Sequence, residues 1–267
     1  MKNQWKSVLG LLVLCAVCLL LGKGLQQLTQ GKETKTTQGG EAVGQKQESS
    51  AEQEKENSCL TAEQQEELQG FSANGECIVL DAGHGGMDPG KVGVNQVLEK
   101  DINLAIVTFL QSYLEEAGFR VVMTRDSDAA LYTESDSNKK AADMKARIRK
   151  IEEQKPIFAV SIHQNSFTQE SSFGAQVFYY KTSMQGAELA KELQQTLREH
   201  IADGNYREAK ANDSYYLLKK SPCPMVIVEC GFLSNAQEAE RLATEEYQKQ
   251  VAWAICMGIV NYYREQE

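Results

Sequence analysis

The sequence predicts an α/β protein, a three-layer αβα sandwich around a twisted, mostly parallel sheet. Three observations point there. From residue 77 onward, short apolar runs alternate with longer amphipathic segments. Several of those runs, such as FAVSI and MVIV, are nearly continuously apolar, as strands covered on both faces are. Three of them lead into a reactive side chain: His84 after a short glycine turn, then His163 and Glu229 directly. In open α/β sheets, ligands and catalytic groups gather at the carboxyl ends of the strands.

The chain begins with Lys2, Trp5 and Lys6, then an apolar run from Ser7 to Gly22 closed by Lys23. That run is slightly short for a spanning helix of about 17–25 residues and slightly long for a signal core of about 7–15. It ends in Leu19-Leu20-Leu21-Gly22-Lys23, without a small-x-small cleavage site, so residues 1–23 read as an uncleaved signal anchor. Trp5 suits the membrane interface. The alternative, a cleaved and secreted chain, exports the remainder equally well. Residues 24–57 are rich in Gln, Lys, Glu, Thr, Ser and Gly and read as a disordered linker. Residues 58–76 form a short helical lead-in, and 77–267 a single catalytic domain, with enough chain for a sizeable core.

Leu60 to Phe71 reads as a short helix, capped by Thr61 with Gln64 three residues on and ended by Gly70. Ile78–Leu80 is the first strand. Lys100–Ala117 is a helix whose apolar face carries Ile102, Ile106, Phe109, Leu110, Tyr113 and Leu114, stopped by Gly118. Arg120–Thr124 is a strand, Asn138–Gln154 a charged helix and Ile157–Ile162 a strand entered through Pro156. Ala175–Tyr180 is a strand, Gln185–Ile201 a helix, Tyr215–Leu218 a short strand and Met225–Val228 a buried strand. Helices over about 235–242 and 245–263 close the chain.

The formal net charge is −9, with no basic stripe, which argues against a nucleic-acid partner. Five cysteines follow the apolar segment: Cys59, Cys77, Cys223, Cys230 and Cys256. They match neither a zinc knuckle nor a CxxC motif. Cys59 and Cys77 are a candidate disulfide, and Cys230 and Cys256 read as buried thiols.

Only three histidines occur, and two sit at strand ends. His84 lies between Gly83 and Gly85, where backbone can approach a bound group closely. His200 reads as a surface residue near a helix C-terminus. Glu99 opens a helix, where a carboxylate is favourable for the dipole alone, but the loop from His84 can bring it back to that histidine. Glu229 follows PMVIV, so it is either paired at the strand end or desolvated toward a useful base. Two imidazoles and one carboxylate make a catalytic zinc shell, and a second carboxylate is the candidate base.

The blocks DAGHGGMDPG, LEKDINLA, VVMTRDSD, SIHQNS, GAQVFYY and VIVECGFLSN occur in this order. Together they resemble the zinc-dependent N-acetylmuramoyl-L-alanine amidases of bacterial cell walls, from about Ile78 to Tyr263. The compact domain, the anchor and the CGFLSN block are most similar to the family's sporulation-specific branch, which helps convert spore-cortex peptidoglycan to muramic-δ-lactam. The resemblance implies Zn2+ held by His84, Glu99 and His163, with Glu229 as the catalytic residue. The family's arginine after the second strand falls on Arg147, to which no catalytic role is given. The implied partners are peptidoglycan and, through the anchor, the membrane, with the catalytic domain on the extracytoplasmic side. The substrate-binding residues and any activating partner protein stay unidentified. Two other readings remain: an exported zinc peptidase acting on stem peptides, and a non-catalytic wall-binding domain.

Overall fold

A computed structural model of the chain describes residues 58–201 and 204–266. The expected anchor and linker lie outside the described residues, among which no helix is long and apolar enough to cross a membrane. Helix α1 (Ala62–Glu67) starts on the expected capping box, with Thr61 and Gln64 bonding each other's backbone N–H groups. Strand β1 (Cys77–Ala82) is followed by α2 (Glu99–Glu116), β2 (Arg120–Met123) and α3 (Lys139–Gln154). Then come β3 (Phe158–Asn165), β4 (Gln176–Tyr180), α4 (Met184–Ile201) and β5 (Lys210–Asn212). The last elements are α5 (Tyr216–Lys220), β6 (Met225–Phe232), α6 (Ala236–Leu242) and α7 (Glu245–Arg264).

The six strands lie in the order β2-β1-β3-β6-β4-β5. Pairing is parallel throughout except between β4 and β6, so the sheet is mixed and mostly parallel. Side chains alternate between its faces. Ile78 and Leu80 join the larger core with α2, α4 and α7, while Val79 joins the smaller core of Ile151, Leu217, Leu218 and Ile227 on the other face. These two cores make the three layers. The 58–76 segment packs on the larger core through Leu60, Leu68, Phe71 and Ala73.

Two expectations are corrected. Residues 215–218 are not a strand: Leu217 and Leu218 are both buried, which neighbours on a strand cannot achieve against one face but neighbours on a helical turn can. Asn212 Oδ1 accepts the N–H groups of Ser214 and Tyr215 at 2.8 Å and turns the chain into α5, while Lys210–Asn212 supplies the edge strand instead. Cys59 and Cys77 are free thiols. The Cys59 N–H bonds Glu116 at the end of α2, whereas Cys77 is held in register with Arg120 of β2. Cys230 and Cys256 are fully buried, as expected.

The main strands also run beyond their expected ends, β1 to Ala82, β3 to Asn165 and β6 to Phe232. His163 and Glu229 therefore sit within the sheet ladder, directly opposite each other across β3 and β6.

Candidate metal centre

Three elements bring His84, Glu99 and His163 together, with one ligand atom from each lying within 4.8 Å of the others. Glu99 is the first residue of α2, and its backbone N–H bonds Lys91 O. Its Oε1 lies 3.2 Å from His84 Nε2 and 2.9 Å from His163 Nδ1, and accepts the Gln164 N–H at 3.1 Å. Its Oε2 accepts the Lys91 N–H at 2.7 Å. Burial alone would raise the Glu99 pKa, but hydrogen bonds and charge from the two histidines hold it well below the usual carboxylate range.

His84 has a φ of 62°, in the left-handed region that a non-glycine residue occupies at a cost of about 1–3 kcal/mol. Arg147 holds it there, donating from Nη2 to His84 O at 2.6 Å. The other ring nitrogen, Nδ1, lies 2.9 Å from Asp88 Oδ2, an arrangement that fixes tautomer and ring orientation in metal-binding histidines. Burial would lower the His84 pKa, yet Glu99 and Asp88 together lift it to about 8. The His163 ring meets the His84 ring edge-on at 4.9 Å. A Cβ on Gly83 would stand 2.3 Å from the His163 ring, and one on Gly90 would stand 2.6 Å from Glu99 Oε2. The two glycines are what let the donors converge.

Glu229 belongs to the same cleft, of about 510 Å³, but not to the donor cluster. Its Oε2 is buried and has no hydrogen-bond partner. Burial raises its pKa first, and the Glu99 charge adds to that, against the lowering effects of His163, His84 and a hydrogen bond from Tyr215. This is the desolvated alternative of the two readings, not a carboxylate tied off by a salt bridge. His200 lies in the last turn of α4 and is not among the residues lining the cleft.

Beneath the donors lies a layer that sequence reasoning missed. Asp81, fully buried in β1, accepts from Arg147 Nη1 and Thr124 Oγ1 at 2.7 Å and from Ser161 Oγ at 2.6 Å. Burial would raise its pKa, but the Arg147 charge and these bonds hold it at about 2. Arg125 donates to Ala82 O, Gly83 O, Lys100 O and Ser127 O at 2.8–3.0 Å. Arg147 also bonds Ala82 O and Asp143. The carbonyls of Ala82, Gly83 and His84 are thus all held by two guanidinium groups. The signal for this layer was the aspartate inside the otherwise apolar strand CIVLDA, since a buried carboxylate demands a cation.

Chemically, the cluster offers two imidazole nitrogens and a carboxylate oxygen with a second carboxyl nearby. This donor set suits a four-coordinate zinc ion with one position left for water or substrate. The uncompensated Oε2 of Glu229 suits a proton carrier beside it.

The chain is similar to known proteins along most of its described length. The sequence profile of the N-acetylmuramoyl-L-alanine amidase family matches residues 78–261. The germination-specific N-acetylmuramoyl-L-alanine amidase of Bacillus subtilis is 38% identical over 195 residues, covering 72% of this chain and 81% of that one. The CwlD amidase of Clostridioides difficile, solved in complex with the GerS lipoprotein, superposes with a TM-score of 0.69 at 42% identity, covering 71% of this chain and 99% of that one. The amidase AmiC2 of Nostoc punctiforme superposes with a TM-score of 0.63 at 32% identity, over 72% and 99% of the two chains.

Proposed function

The chain belongs to the N-acetylmuramoyl-L-alanine amidase family and is a hydrolase of that activity, acting on peptidoglycan; we propose that it works with a zinc ion held by His84, Glu99 and His163 and with Glu229 as the base. The observation that carries this is the cluster of two imidazoles and one carboxylate beside a buried carboxyl oxygen without a partner. Zinc, when bound, supplies a Lewis acid for the scissile carbonyl and lowers the pKa of water. The remaining work falls to the protein. Glu229 takes a proton from the attacking water and returns it to the leaving nitrogen of L-alanine. Asp88 holds the His84 ring by its Nδ1 side, leaving Nε2 directed at the cluster. Arg125 and Arg147 hold the turn that carries His84.

We further infer that the activity serves spore-cortex peptidoglycan on the way to muramic-δ-lactam, which the likeness to the germination-specific amidase of B. subtilis supports. Residues 1–23 as anchor and 24–57 as linker would place the catalytic domain on the extracytoplasmic side, within reach of an insoluble polymer beside the membrane. A partner of the lipoprotein class is part of this reading, because the C. difficile relative was solved in complex with a lipoprotein.

The test is mass spectrometry of peptidoglycan digested by the full chain, with zinc removed by a chelator and then restored. The expected products are stem peptides with a free L-alanine amino terminus and peptide-free muramic acid, lost on chelation and regained with zinc. Fragments that keep L-alanine on muramic acid would replace this reading with the stem-peptide peptidase, and no products with full wall binding would replace it with the binding domain.

A further inference from the structure

Asn103 is fully buried, one helical turn after Glu99 on the same face of α2. Its side-chain amide makes three contacts, one beside each of the three donors. Nδ2 donates to Gly83 O, the carbonyl just before His84, at 3.1 Å, and reaches Glu99 Oε1 at 3.5 Å. Oδ1 accepts from Nε2 of Gln164, the residue just after His163, at 3.1 Å. Chemistry fixes which way the Asn103 amide points, since Gly83 O and the Glu99 carboxylate are both acceptors. Adjacent strand residues face opposite sides of a sheet, so Gln164 points away from the cleft that His163 lines and toward α2. Neither amide lines the cleft; both touch the frame of the donor cluster.

We propose that Asn103 is a positioning residue for the metal centre: with Gln164 it sets the spacing of the three segments that carry His84, Glu99 and His163. The inference rests on the reading of that cluster as a zinc site. Stability does not account for the amide pair. Gln164 Oε1 is buried without a partner, and a partly satisfied polar pair stabilises a core less than apolar side chains of the same shape. What the pair supplies is direction. Apolar contact fills space without preferring an angle, whereas a hydrogen bond fixes both distance and orientation. Gly83 O shows how the two layers of the site join. Arg125 Nη2 ties that carbonyl to Lys100 O near the start of α2, and Asn103 extends the tie to β3. A turn, a helix start and a strand are thereby held in one arrangement before any metal arrives, and such outer partners of a metal site govern its affinity.

The test compares zinc binding and stability in the full chain. Asn103→Leu leaves Gln164 Nε2 without an acceptor and should weaken both folding and zinc binding. Asn103→Leu combined with Gln164→Met removes donor and acceptor together, so its metal-free denaturant midpoint should return toward the parent's. Its zinc affinity, read by competition with a chromogenic chelator at fixed pH, should still be about 10- to 100-fold weaker than the parent's. Gln164→Met alone keeps the shape and cuts only the link to β3, and should lose zinc affinity by a smaller factor. The visible absorption of each variant loaded with Co2+ should change as well, because it reports ligand geometry at the metal. Parent-like zinc affinity with a parent-like cobalt spectrum in either folded variant would overturn the role of Asn103 and leave the zinc reading standing. A parent chain that binds no zinc would reject the zinc reading and this inference together.

Discussion

Two charged clusters lie one above the other at the carboxyl end of this sheet, and they differ in completeness. In the lower one, Asp81, Arg147, Arg125, Thr124 and Ser161 bond one another and the backbone, and all five are nearly or fully buried apart from small Arg contacts. In the upper one, His84, Glu99 and His163 crowd around a single carboxylate oxygen, and Glu229 keeps a buried oxygen with no partner. The lower cluster is finished without a ligand. The upper one leaves one buried carboxyl oxygen unsatisfied, as reactive sites do and scaffolds do not. Burial and charge are common to both; only the unsatisfied remainder separates scaffold from chemistry.

The comparison can be broken by experiment. The largest effect should come from Glu229→Gln, which removes the proton carrier and no ligand. Turnover should fall by about 10²- to 10⁴-fold while zinc measured by atomic emission stays at the wild-type level. If zinc were lost instead, Glu229 would belong to the donor set. In the lower cluster, Arg147→Met leaves Asp81 as a buried charge without its ion-pair partner and should cost about 3–5 kcal/mol in denaturant unfolding. Adding Asp81→Asn should recover part of that loss, and full additivity of the two changes would deny their coupling.

The smallest effect concerns stability against pH. Glu229 has a raised native pKa, so below the unfolded carboxylate value of about 4.3 it is protonated in both states and costs nothing. Above that value the native state resists ionisation and loses stability. Glu229→Gln should therefore be more stable than the parent at pH 7, with the gap closing as pH falls toward 4. Asp81 has the opposite sign. Held at about 2, it contributes stability above pH 4 that is lost as pH falls through 2. Thermal unfolding of Glu229→Gln and of an Asp81→Asn single variant across pH 2–8 separates the two behaviours.

Much of this was legible in the sequence. Apolar periodicity located the strands and long helices because burial dictates those positions directly, as in β6, where each residue from Met225 to Phe232 is buried. The grouping of the upper cluster was legible because His84, His163 and Glu229 follow or end apolar runs, which the sheet then brings to one edge. Two things were not. The turn into α5 depends on Asn212 side-chain bonds, which periodicity does not register. The lower cluster depends on partners 43 to 80 residues apart, as in Asp81 with Thr124 and Ser161, and no local pattern encodes such a distance.

The register of β3 against β6 has a further consequence. Because His163 and Glu229 face each other across one pair of hydrogen-bonded strands, their separation is a property of the sheet itself. The loop that carries Tyr132 on the cleft wall can be lengthened, shortened or exchanged without altering that spacing. The facing pair is chassis and the loop is a fitting. An engineer seeking a new wall specificity should therefore graft loops and leave the strands alone, and lineages of this fold are free to diversify in the same way.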